Sequence, residues 1–143
     1  MMYFKHLNDD DRYKFPIKQK SVDDIGWDIP LNNPEVLIHP HKMTKVHTGL
    51  AIKTPDGFGC FIKDRSSWAS NGIVTFGGVI DEGYTGEIIV IMYNFGYTTY
   101  RLQPGEKMAQ CVLIPTSSNI RCQEINSLVK TNRGSNGFGS TGK

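Results

Sequence analysis

Short apolar runs alternate with glycine, proline and asparagine along almost the whole chain, and no segment keeps a 3.6-residue period for three turns. That pattern predicts a β protein. Val46-His-Thr-Gly-Leu-Ala-Ile-Lys53 puts Val46, Leu50 and Ile52 on one face. Thr54-Pro-Asp-Gly57 turns the chain into Phe58 to Lys63, so a hairpin is expected here. Glu87 to Tyr93 is apolar on both faces and rich in β-branched residues, the composition of a central strand buried on both sides. Asn94-Phe-Gly96 and Gln103-Pro-Gly105 are turns, and Thr98 to Leu102 and Lys107 to Pro115 are the strands they separate. One short helix starts at Asp64 or Ser66 and stops at Asn71-Gly72. Strands of this length and spacing suggest a sandwich, barrel or jelly roll.

With 143 residues the chain is expected to be a single domain over 1–143. Residues 116–132 read as a connecting segment, with Cys122 and Ile125 docking along it, and 133–143 as a C-terminal arm. The 16 basic and 14 acidic residues leave a formal charge of +2, too little for a broad cationic face, so direct nucleic-acid binding or membrane attachment is not expected. No apolar run approaches the ~20 residues needed to cross a bilayer. Cys60, Cys111 and Cys122 form no C-x-x-C pair, and Met1 to Lys14 is too charged for a signal peptide. Free thiols and a cytoplasmic location follow.

The arm suggests chemistry. Its four glycines, from Gly134 to Gly142, leave it mobile until a ligand holds it, and its other residues suit a nucleotide. Phe138 offers a plane for a base; Arg133, Ser140 and Thr141 offer donors for phosphates. Gly137 to Lys143 imitates a phosphate-binding loop, but the strand and helix that such a loop needs do not flank it. In the body, Asp64-Arg65-Ser66-Ser67 stands where a strand passes into the short helix, so backbone N–H groups, hydroxyls and a guanidinium could surround an anion. Gly77-Gly-Val-Ile-Asp-Glu-Gly-Tyr-Thr-Gly86 reads as a tight hairpin whose backbone can approach a flat ligand. Tyr84 supplies a ring, and Asp81 is a candidate general base whose apolar neighbours would desolvate it. Asp28, beside Trp27, is either a turn residue or an outer ligand of a hard cation such as Mg²⁺. His39, His41 and His47 have no fourth ligand at zinc-site spacing.

Five segments, in order and spacing, resemble the motifs of the trimeric dUTPase family: Gly26-Trp-Asp28, Arg65-Ser-Ser67, Gly78 to Gly86, Gly105-Glu-Lys-Met-Ala-Gln110 and Arg133 to Gly142. The resemblance spans about residues 20 to 143. It implies an all-β fold, a distorted jelly roll of the β-clip type with one short helix and a mobile C-terminal arm. It also implies a homotrimer with active sites shared between subunits, Mg²⁺ as cofactor, and hydrolysis of dUTP to dUMP and pyrophosphate, which keeps uracil out of DNA and supplies dUMP. By the same resemblance Asp81 is catalytic, activating the water that attacks the α-phosphorus. Gly77, Gly78 and Val79 read the uracil edge, and Tyr84 stacks under the deoxyribose. Arg65, Ser66, Ser67 and Gln110 hold phosphates, and Asp28 touches magnesium through water. From the arm, Phe138 and Gly139 cover the base while Arg133, Ser140 and Thr141 hold the outer phosphates. The location implied is cytoplasmic, or the host cytoplasm if the chain is viral or phage-encoded.

Three departures from the family stand out. Asp64 replaces the usual proline before Arg-Ser and is expected to pair with Arg65 or a lysine; Asn136 replaces a glycine; Ile25-Gly-Trp-Asp-Ile-Pro30 is an unusual first motif. The related dCTP deaminases need an acidic residue near position 91, where this chain has Ile91, an apolar group unable to move protons. A nucleotide-responsive regulatory protein on the same fold is the other alternative.

Overall fold

A computed structural model describes residues 1–117 and 120–136. Ten strands, β1 (Tyr3–His6), β2 (Gly26–Pro30), β3 (Val36–Ile38), β4 (Met43–Lys53), β5 (Phe58–Lys63), β6 (Ile73–Phe76), β7 (Val79–Ile80), β8 (Glu87–Asn94), β9 (Tyr100–Leu102) and β10 (Lys107–Pro115), share the fold with one helix, α1 (Ser66–Ala69). Two four-stranded sheets, β1-β4-β8-β6 and β2-β10-β5-β7, face each other as a distorted jelly roll, with β3 and β9 as a small third sheet. All the strand pairs within these sheets are antiparallel. None of the described helices is long and apolar enough to cross a membrane.

Alternation builds the core. β8 turns Ile88, Val90 and Met92 inward against Val46 and Leu50 of β4, and Ile29, Cys60, Met108 and Cys111 close it from the second sheet. β8 is central as expected, but it is buried on one face of the chain only. Its outward residues Ile89, Ile91 and Tyr93, with Phe76 and Phe95, form an apolar surface on which Ile89 is 41% exposed and Phe95 54%.

Two expected hairpins are absent from the pairing. β4 and β5 are joined by Thr54 to Gly57 yet lie in different sheets, so that turn is a crossover between layers. β7 and β8 are likewise split between the sheets, so Asp81 to Gly86 is also a crossover. Both corrections have one cause: apolar alternation shows which face a residue takes, and strands from either layer satisfy it equally.

The sequence also missed β1, whose Tyr3–His6 pairs at the edge of β4. Cys60 and Cys111 sit on adjacent strands with a Cα–Cα distance of 6.1 Å, so two of the three thiols face each other in the core. Cross-strand proximity between residues 51 apart leaves no mark in local spacing. Cys122 carries a free, exposed thiol, and Ile125, Leu128 and Val129 are exposed beside it, so Cys122 and Ile125 do not dock on their own chain as expected.

Candidate active site

The glycine pair sets the first half of the site. Gly77 and Gly78 both have positive φ, and a Cβ on Gly78 would lie 2.7 Å from the Ile62 carbonyl oxygen. Only glycine fits there. The close approach lets the Ile62 N–H donate to the Gly78 carbonyl at 2.7 Å, which holds the main chain against β5 and delivers it to β7. Past β7, the Tyr84 N–H donates to the Asp81 carbonyl at 3.1 Å, closing the turn. Glu82 anchors that turn from outside: its carboxylate accepts from the Gly57 N–H at 2.7 Å and the Thr116 hydroxyl at 2.8 Å. These bonds, the Gly57 one foremost, hold the carboxyl below its ordinary 4.5.

The result is an open cleft of about 300 Å³ lined by Gly78, Val79, Asp81, Tyr84, Glu87 and Ile89, among others. The Tyr84 hydroxyl donates to the Glu87 carbonyl at 2.9 Å, so the ring is fixed as a wall rather than left to swing. Asp81 is exposed at this cleft. The desolvation expected from Val79 and Ile80 is not supplied by this chain alone, because Val79 is itself 65% exposed and Ile80 turns into the core. Ile91 lies beneath Gly77, its Cδ1 3.7 Å from where a Cβ would stand, so the position a deaminase needs acidic is apolar in space as well as in sequence.

A second group gathers around Asp28. β10 lies between β2 and β5, with Gln110 opposite Asp28 on one side and Lys63 on the other. That register places Asp28, Gln110 and the Asp64–Ser66 turn side by side. Asp28 Oδ1 accepts from Arg65 Nε at 3.0 Å and Oδ2 from Lys107 Nζ at 2.6 Å. Arg65 Nη1 and Trp68 Nε1 both donate to the Lys107 carbonyl, at 2.8 and 2.9 Å. Gln110 Nε2 donates to the Asp64 carbonyl at 2.8 Å. A cavity of about 420 Å³ opens here, lined by Lys20, Asp28, Arg65, Ser66 and Gln110 among others. Trp68, buried, pins α1 beneath it; truncation to alanine should cost about 3–5 kcal/mol.

Several expectations change at this second group. Four residues of helix carry too few aligned peptides to act as an anion site; the positive charges gathered here are those of Lys20, Arg65 and Lys107. Ser67 parts from Ser66 and lines a separate hollow with Trp68, Tyr100 and Glu106. Among the described residues Asp64 pairs with neither Arg65 nor a lysine; its Oδ1 accepts from the Thr75 N–H and hydroxyl. Asp28 is a strand residue, not a turn residue. Lys20 and Lys107 were not read as site residues, since what brings Lys107 to Asp28 is the pairing of β2 with β10, a long-range register.

Both oxygens of Asp28 are already ion-paired, and among the described residues no three His, Cys, Asp or Glu side chains cluster as metal ligands. This donor set fits an outer contact, through water, to an ion carried by a triphosphate, and does not fit a resident metal held directly. The histidines are engaged apart, His39 Nδ1 with the Thr99 hydroxyl at 3.1 Å and His47 Nδ1 with Glu87 at 2.8 Å.

Arg133 is exposed, its Nε donating to the Asn136 carbonyl at 3.3 Å. Phe138, Gly139, Ser140 and Thr141, and the phosphate-loop imitation at 137–143, lie outside the described residues.

The two groups stand at opposite edges of one sheet, Asp28 on β2 and Asp81 just after β7, with β10 and β5 between. Residues 13–142 match the model of the dUTPase family. The chain belongs to the dUTPase family. The deoxyuridine 5′-triphosphate nucleotidohydrolase of Anaplasma marginale (strain St. Maries) is 40% identical over 111 residues, 76% of this chain and 75% of that protein. The solved native EIAV dUTPase is 29% identical, with a TM-score of 0.71 over 90% of this chain and 100% of its own. The fold also matches the Staphylococcus bacteriophage 80alpha dUTPase with dUpNHpp, at a TM-score of 0.88 over 100% and 99% of the two chains, although identity is 23%. As a dUTPase the chain is a nucleotide hydrolase.

Proposed function

We propose that this dUTPase hydrolyses dUTP to dUMP and pyrophosphate, with Asp81 as general base. The observation that carries the reading is the cleft in which the Asp81 carboxylate, the Gly78 backbone and a fixed tyrosine ring converge. Asp81 takes a proton from water as the water oxygen bonds to the α-phosphorus; the bond to the bridging oxygen breaks and pyrophosphate leaves with its electrons. The backbone from Gly77 to Val79 meets the uracil edge, and Tyr84 lies under the deoxyribose, where a 2′-hydroxyl would crowd it. Arg65, Ser66 and Gln110 hold the phosphates. Ser67 backs them from the far side of the turn. Asp28 would meet the water shell of Mg²⁺ bound with the triphosphate, an ion that would supply charge neutralisation there.

The enzyme works as a homotrimer whose active sites are shared between subunits. The placement of the base-side and phosphate-side groups at opposite edges of a sheet supports this, as do the uncovered apolar face of β8 and the exposed apolar residues of the connecting segment. Closure of the arm brings Arg133, Ser140 and Thr141 to the outer phosphates and Phe138 and Gly139 over the base, and excludes water that would screen the site. Action on a deoxynucleotide pool places the enzyme in the cytoplasm, that of the host if the gene is viral.

The test is Asp81→Asn. It should keep dUTP binding, read by calorimetry, while kcat falls by about 10²–10⁴. A near-normal kcat would exclude Asp81 as the base.

A further inference from the structure

We infer that Asp64 is a positioning residue for the phosphate turn, holding Arg65 and Ser66 in place by hydrogen bonds. The inference rests on the proposed role of Arg65 and Ser66 in holding phosphate.

A carboxylate one residue from an anion site ought to oppose binding, so its aim matters. Asp64 is turned away from that site: Oδ1 accepts from the Thr75 N–H and, at 2.7 Å, from the Thr75 hydroxyl. Arg65, the adjacent cation, is committed elsewhere, its Nε on Asp28 at 3.0 Å. β6 is an edge strand, paired on one side only with β8, so the Thr75 N–H would lack a ladder partner without Asp64. The Asp64 carbonyl is held as well, accepting from Gln110 Nε2 on β10 at 2.8 Å.

Both ends of the residue are therefore fixed, the side chain to β6 and the carbonyl to β10, at the point where β5 gives way to Arg65-Ser66. A turn anchored on both sides has little further entropy to lose when phosphate binds, and bonds to a charged acceptor are stronger than neutral ones. The anchor has a second consequence. Thr75 leads through Phe76 straight into Gly77-Gly78, so one carboxylate ties the phosphate turn of this chain to its base-side segment.

Steady-state kinetics on Asp64→Ala, Asp64→Asn, Thr75→Val and Ser66→Ala, each with a melting curve, test this. Asp64→Ala should raise KM for dUTP roughly tenfold with kcat changed by less than about threefold. Asp64→Asn, which keeps an acceptor oxygen but not its charge, should bring KM most of the way back toward the parent value. Thr75→Val, which removes one of the two bonds, should fall between. A lowered melting temperature with unchanged KM would make Asp64 an edge cap and nothing more; a lowered KM would mean that its charge repels phosphate. Either result overturns the inference. If Asp64→Ala does not fold, Thr75→Val decides, since unchanged KM there overturns it equally. Unchanged KM in Ser66→Ala would instead overturn the phosphate reading of the turn and this inference with it, whereas raised KM in Ser66→Ala beside unchanged KM in Asp64→Ala defeats the inference alone.

Discussion

Arg65 and Asp28 form an ion pair across β10, with Arg65 Nε 3.0 Å from Asp28 Oδ1 at the end of β5 and on β2 respectively. Both side chains are mostly shielded, and the guanidinium also donates to the Lys107 carbonyl, so its plane is set before any ligand arrives. Asp28→Asn should free Arg65 and leave Lys107 unpaired. We expect kcat/KM for dUTP to fall roughly 10–100-fold and stability to drop by about 1–3 kcal/mol, read by initial rates and urea titration. Unchanged kcat/KM would show that the pair is structural only.

Gly86 leaves room for the tyrosine. A Cβ there would lie 2.5 Å from the Tyr84 hydroxyl and 2.7 Å from its Cζ, so any side chain must lift the ring off the Glu87 carbonyl. Gly86→Ala should therefore fold but lose part of its preference for dUTP over UTP, by roughly tenfold in the kcat/KM ratio, a change on the scale of one misplaced contact. An unaltered ratio would remove Tyr84 from sugar discrimination.

Deletion of 133–143 should leave a folded protein, because the core residues of both sheets lie before position 112. Its far-UV spectrum should match the full chain, while turnover of dUTP falls by about 10² or more as phosphate contacts and water exclusion are lost. Full activity after truncation would contradict the lid.

The site was legible in the sequence where local chemistry was enough, and illegible where strand pairing decides. Gly78 and Asp81 announce themselves through a glycine pair and an acidic turn, and Lys107–Pro115 matches β10 from end to end. The β4–β5 hairpin failed because alternation is the same whichever sheet a strand joins. Lys107 was missed because its register opposite β2 is not written in spacing, and for the same reason the hollow that Ser67 shares with Trp68 and Tyr100 was not foreseen. Asp64 reads in the sequence as a helix start or an ion-pair partner; its acceptor role toward Thr75 depends on β6 being an edge.

Glu82, as well as Asp10 and Glu35, whose carboxyls are also lowered, and Tyr100 tie stability to pH from opposite ends. Glu82 is held below 4.5 by the Gly57 and Thr116 bonds, so its contribution is complete above the unfolded value and is lost as pH falls through the lower folded one. Tyr100 is pushed up to about 12, first by its hydrogen bond to Glu106 and then by burial, so its contribution is complete below 10 and is lost as pH rises toward 12. Melting temperature should be flat between these limits and fall beyond each. Glu82→Gln should blunt the acid fall and Tyr100→Phe the alkaline one; an unchanged acid limb in Glu82→Gln would mean other carboxylates set it.

The most direct test of the account is hydrolysis of a matched panel. With Mg²⁺ and dUTP, dTTP, dCTP, dATP and dGTP supplied separately, the enzyme should release pyrophosphate from dUTP, one per dUMP formed, and at most about a hundredth of that rate from any other. Comparable release from dTTP, or none from dUTP, would contradict it.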